Sequence, residues 1–140
     1  MTQCGYMKSV EHIGIAVKDL QSSIALFTKL LGTECYKTEI VESEGVTTAF
    51  FKTGETKIEL LEATNEDSPV ARFIGKRGEG VHHVAFEVED IGSAMKKLSE
   101  EGFQLLSNEP TRGADNKLVC FIHPKSAGGV LVELCQTIRG

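Results

Sequence analysis

Two stretches of the chain alternate apolar and polar positions in the same way. Residues 10–18 (VEHIGIAVK) and 82–89 (HHVAFEVE) are rich in β-branched residues and change character at every second position. That period is the signature of a strand with one buried face. The alternation then gives way to apolar positions at helical spacing: Ile24, Phe27, Leu30 and Leu31 in residues 21–31, and Ala94, Met95 and Leu98 in residues 92–101. Asp19 and Asp90 precede these stretches as N-cap candidates, with Ser22 and Ser93 as competitors. Gly32 and Gly102 follow them where a helix commonly ends in a left-handed residue.

The two stretches are copies of one pattern. Laying His12 over His83, 71 positions apart, matches Val17 with Val88, Asp19 with Asp90, Leu20 with Ile91, Ser22 with Ser93, Ile24 with Met95 and Phe27 with Leu98. Further strands are expected near 35–42, 46–52 and 56–62 in the first copy, and near 103–106, 117–123 and 129–136 in the second. Each copy therefore reads βαβββ. The expected fold class is α+β: two such modules in a cupped, half-open barrel with helices on the outer face. The modules are placed at about 9–64 and about 80–138, with 65–79 connecting them, and residues 1–140 form one domain.

Strand parity then sorts the chemistry, because neighbouring side chains point to opposite faces. Ile13, Ile15 and Val17 share one face of the first strand, and His12, Gly14 and Ala16 share the other. In the matching strand Val84, Phe86 and Val88 lie opposite His83, Ala85 and Glu87. The bulky faces belong under the helices, leaving each histidine beside small residues. Near the end of each module a carboxylate repeats this parity: Glu59 in KIELL and Glu133 in VLVELC, 74 positions apart. A carboxylate among Ile, Leu and Val is costly to bury without a counter-charge. His12, Glu59, His83 and Glu133 are thus a candidate ligand set for one divalent ion, and their chemistry suits Co, Ni, Mn, Fe or Zn. The alternative for any single member is a satisfied core histidine or a glutamate at a strand end. His82 has the helix-side parity and reads as a supporting or strand-end residue; His123, before Pro124, reads as structural.

Composition narrows the rest. With 41% hydrophobic and 25% charged residues, seven Phe and no Trp, the chain has an ordinary aliphatic core. A net charge of −5 argues against a broad nucleic-acid surface. No apolar run approaches the roughly 20 residues of a membrane span, and the start, MTQCGYMKSV, lacks an apolar signal core. Cys4, Cys35, Cys120 and Cys135 have no knuckle or redox spacing and are expected as buried reduced thiols. Phosphate-binding glycine motifs are absent.

From Val10 to Gln136 the chain resembles the glyoxalase/vicinal-oxygen-chelate superfamily, and within it the methylmalonyl-CoA epimerases. The segments that carry the likeness are EHIGIAVKDL, KIELLEATNEDSPVARFI, GVHHVAFEVEDI and, most specifically, FIHPKSAGGVLVEL. The resemblance puts the family's metal ligands on His12, Glu59, His83 and Glu133. It implies an isomerase that interconverts (R)- and (S)-methylmalonyl-CoA by metal-assisted proton abstraction at C2 through an enolate. Cobalt is the first expectation for the ion, with Mn, Ni and Zn as alternatives.

The same resemblance makes Glu133 the first candidate for the base, and an acyl-CoA the ligand. Lys125 and Ser126 are placed at the substrate, and Lys76 and Arg77 are possible phosphate contacts. A cytoplasmic homodimer is expected, with neither nucleic acid nor membrane as partner. One departure stands out: in the Glu44-Gly-Val-Thr-Thr stretch, Thr48 occupies the place where one epimerase type has a second acid/base glutamate. Glu42, Glu44 or a water at Thr48 would have to replace it. A glyoxalase I-like isomerase and a metal-free binding protein of the same fold are the competing readings.

Overall fold

A computed structural model describes residues 6–139. Its strands are β1 (Met7–Ala16), β2 (Lys37–Val41), β3 (Val46–Thr53), β4 (Thr56–Ala63), β5 (Gly80–Val88), β6 (Thr111–Arg112), β7 (Lys117–Ile122) and β8 (Val132–Thr137). Its helices are α1 (Leu20–Leu31), α2 (Pro69–Arg77) and α3 (Ile91–Glu100). The chain divides into two compact units. One is His12–His82; the other joins the residues up to Glu11 with those from His83 onward.

In the His12–His82 unit the strands run in the order β2-β3-β4-β1. β3 is antiparallel to β2 and β4, and β1 is parallel to β4 with Gly14 opposite Glu59. One sheet face carries Ile15, Ala49, Phe51, Ile58 and Leu60, which pack with Val17, Leu20, Ile24, Phe27 and Leu31 in one core. The α1 stripe is narrower than the sequence pattern suggests, for Leu30 is exposed. Asp19 wins the competition for the cap: its carboxylate accepts from the Ser22 N–H, 3.2 Å away. Gly32 closes the helix at φ 70°.

The second unit repeats this order as β5-β8-β7-β6, with β5 parallel to β8 and β7 antiparallel to both β8 and β6. Val88, Ile91, Ala94, Met95, Leu98, Cys120, Ile122 and Leu134 form its core. Asp90 caps α3 through the Ser93 N–H. Each unit thus realises a βαβββ pattern.

Two elements differ from the sequence reading. Residues 103–106 form no strand. Phe103 and Leu105 pack against the core instead, and Leu105 makes one isolated bridge to Ile122. The following Ser107-Asn108-Glu109-Pro110 breaks the ladder, since proline has no N–H to donate, and pairing resumes only in two-residue β6. Second, the connecting segment holds α2. Its signal is Ser68-Pro69: the Ser68 hydroxyl accepts from the Ala71 N–H, and proline stands in the first turn where its missing donor costs nothing. Gly45, at φ 65°, must be glycine because a Cβ there would lie 2.7 Å from Ser68 Cβ.

Candidate metal and acid-base site

Each unit buries one histidine–glutamate pair on the sheet face turned away from its apolar core. In the first, His12 Nδ1 lies 3.3 Å from Glu59 Oε2; in the second, His83 Nε2 lies 2.9 Å from Glu133 Oε1. All four residues are 3–5% exposed. The strands create both pairs in the same way. Glu59 is flanked in register by Gly14 on β1 and Phe50 on β3. Glu133 is flanked by Ala85 on β5 and Phe121 on β7. A small residue on one side leaves room for the histidine, and a phenylalanine on the other excludes water. The His83 ring meets Phe121 edge-on at 5.6 Å.

Parity alone could not reveal Phe50 and Phe121 as a matched pair, because their partnership with the glutamates depends on strand register. Taking two carboxylates into such surroundings is unfavourable without compensating positive charge. Each pair offers an imidazole nitrogen and a carboxylate oxygen, donors that fit a divalent transition metal. The buried chemistry of each pair is therefore compatible with a metal.

Thr48 lies on the same face of the first unit. It stands between Glu39 on β2 and Leu61 on β4, one alternation along β3 from Phe50. It is 1% exposed, and its hydroxyl has no hydrogen-bond partner among the described residues. Glu42 and Glu44 sit in a 3₁₀ turn (Glu42–Glu44) beyond the end of β2, with Glu42 exposed and Glu44 half-buried.

The remaining candidates fall elsewhere. His82 is half-buried and meets Phe73 of α2 edge-on at 5.0 Å, as its parity requires. His123 is structural: its Nδ1 accepts from the Lys125 N–H at 3.0 Å and caps a short 3₁₀ turn (Pro124–Ala127). Lys125 is exposed in that turn, whereas the Ser126 hydroxyl accepts from the Gln104 N–H at 2.9 Å. Lys76 and Arg77 are exposed in the last turn of α2. Cys120 and Cys135 are buried free thiols, and burial pushes both upward from the usual thiol range. Cys35 is only partly buried, and Cys4 lies outside the described residues. No helix among the described residues is long and apolar enough to cross a membrane.

Comparison with known proteins agrees with this architecture. Residues 11–121 match the family model of the Glyoxalase/Bleomycin resistance protein/Dioxygenase superfamily. The ethylmalonyl-CoA/methylmalonyl-CoA epimerase of Cereibacter sphaeroides is 43% identical over 129 residues, 91% of this chain and 96% of that one. The crystal structure of methylmalonyl-CoA epimerase from Mycobacterium tuberculosis superposes with a TM-score of 0.94 at 33% identity, over 99% of this chain and 94% of that one. A methylmalonyl-CoA epimerase in complex with methylmalonyl-CoA and NH4+ gives a TM-score of 0.88 at 36% identity, over 94% of this chain and 95% of that one. The chain has the fold of these isomerases, and it belongs to the glyoxalase superfamily as a member of its methylmalonyl-CoA epimerase family.

Proposed function

We propose that this chain interconverts the C2 epimers of methylmalonyl-CoA, with His12, Glu59, His83 and Glu133 as the ligands of a single divalent cation. The observation that carries the reading is the repeated burial of a histidine–glutamate pair at equivalent strand positions, each beside a small residue and a phenylalanine. Its relatives' activity supplies the substrate class: one acts on ethylmalonyl-CoA and methylmalonyl-CoA, and another was solved with methylmalonyl-CoA.

Methylmalonyl-CoA carries a carboxylate and a thioester carbonyl on either side of C2. A bound divalent cation supplies charge compensation for the buried glutamates and withdraws electrons from the carbonyl. The protein's own part is proton movement. Glu133 accepts the C2 proton, and the C–H electron pair flows into the thioester carbonyl. A second group returns a proton to C2 on the other face, and Thr48 is the polar side chain that the first unit offers on its site face. Phe50 and Phe121 keep water from the carboxylates, which strengthens every charge interaction beside them. Lys125, exposed beside the half-buried Ser126, is suited to the phosphates of the coenzyme A tail.

The test is a direct substrate comparison. Metal-replete protein should exchange the C2 hydrogen of methylmalonyl-CoA in deuterated water and leave the glutathione hemithioacetal of methylglyoxal unchanged. Turnover of the hemithioacetal without C2 exchange would reassign the chain to glyoxalase I chemistry.

A further inference from the structure

The internal repeat supplies a control for Thr48. In the second unit Phe121 takes the place of Phe50, and the residue one alternation along β7 is Val119. Val119 is 3% exposed and packs with Ala85 and Cys135 in a small apolar cluster. The fold therefore accepts an apolar β-branched residue at this place. In the first unit the place holds a threonine whose hydroxyl is buried and has no hydrogen-bond partner among the described residues. Nearly all buried polar groups are hydrogen-bonded, so an orphan calls for an explanation.

The neighbours point to one. The residue in register with Thr48 on β2 is Glu39. In-register side chains share a sheet face, with Cβ atoms roughly 5 Å apart. In the second unit the residue opposite Val119 is Thr111, not a carboxylate. Glu39 is part-exposed and ion-paired with Lys37 at 3.8 Å, and Lys37 in turn lies over the Phe50 ring at 4.7 Å. A buried hydroxyl thus stands in register with a residue whose carboxylate is part-exposed.

We propose that Thr48 and Glu39 form the second proton-transfer arm of the reaction, with Thr48 meeting the substrate and Glu39 acting through it. This rests on the epimerase reading. When the C2 hydrogen faces this arm, its proton passes to Thr48 Oγ1 while the Thr48 hydroxyl proton passes, by way of one bridging water, to the Glu39 carboxylate. The C–H electron pair moves into the thioester carbonyl, and C2 then takes a proton from Glu133 on the other face. Glu39 afterwards releases its proton to water. In the opposite direction each proton transfer reverses. Glu39 supplies the carboxylate that a threonine at this strand position lacks.

The test follows each epimer separately in deuterated water, using the metal-replete wild type and the variants Thr48→Val, Thr48→Ser and Glu39→Gln. Wild type should exchange and epimerise both substrates. Thr48→Val and Glu39→Gln should epimerise at least tenfold more slowly. One epimer should still exchange its C2 hydrogen with retention of configuration, because the Glu133 side still works, and the other should lose exchange. Thr48→Ser should restore epimerisation. Wild-type epimerisation by Thr48→Val or by Glu39→Gln would overturn the arm. Equal loss from both epimers without rescue by Thr48→Ser would also overturn it, by marking Thr48 as merely structural. A wild type that exchanges neither epimer would overturn the epimerase reading itself, a result distinct from any failure confined to the variants.

Discussion

Thr48→Val should make the protein more stable while making it a worse enzyme. The substitution removes one hydroxyl and puts a methyl group in its place, in the middle of β3, where valine is at least as well suited to a strand as threonine. A buried hydroxyl without a partner costs about 1–3 kcal/mol in desolvation. Val119 shows that the equivalent site packs around an isopropyl group. After allowing for small adjustments around the new methyl group, the expected gain is about 1–2 kcal/mol. For a chain of this size each kcal/mol moves the melting temperature by about 2–4 °C, so the midpoint should rise by roughly 2–8 °C.

The assay is thermal and urea unfolding of metal-stripped wild type and variant, since a bound ligand would add its own stabilisation. The urea midpoint should rise without a change in m. An equal or lower melting temperature would show that the hydroxyl is hydrogen-bonded in solution. The argument that its isolation is maintained for function would then fail. The expected trade of activity against stability is the usual one for groups held unsatisfied at active sites.

Other outcomes follow from the same geometry. His83→Ala should lose metal affinity, measured by equilibrium dialysis against Co2+. His82→Ala should retain it and lose only about 0.5–1.5 kcal/mol of stability from its edge-on contact with Phe73. Glu133→Gln should slow C2 exchange by well over tenfold in deuterated water, because acid-base groups contribute about 10²–10⁴-fold and an amide does not accept the proton. Burial holds the Cys120 thiol protonated beyond its usual 9.0, so alkylation mapped by mass spectrometry at pH 8 should spare it in the native state. The unfolded chain ionises this thiol near its ordinary value and the folded chain does not. Its contribution to stability is therefore constant below about pH 9 and falls as pH rises above that.

Periodicity was sufficient for most of the architecture. A one-residue slip in β1 or β5 would have put Ile13 or Val84 where His12 or His83 belongs, so the apolar pattern fixes the faces as well as the strands. The two histidine–glutamate pairs were legible for the same reason. What stayed hidden depends on contacts between strands. Phe50, Phe121 and Glu39 gain their meaning from register, which no single strand encodes. The buried ion pair between Lys117 and Glu11, 3.6 Å apart, joins residues distant in sequence and carries no local signature. Helix α2 was signalled by Ser68-Pro69, but it is only nine residues long and Val70 is its one fully buried residue, and Phe103 and Leu105 imitated a strand by alternation alone.

The most direct test of the account is a metal titration read by proton exchange. Stripped protein is given Co2+ in increments, in deuterated water with methylmalonyl-CoA, and C2 exchange is followed at each step. Exchange should be absent at the start, rise in proportion to added metal, and break sharply at one ion per chain, because the proposed site assigns one cation to both histidine–glutamate pairs. Full exchange by protein with no detectable metal, or a break at two ions per chain, would contradict a single site built from the four residues.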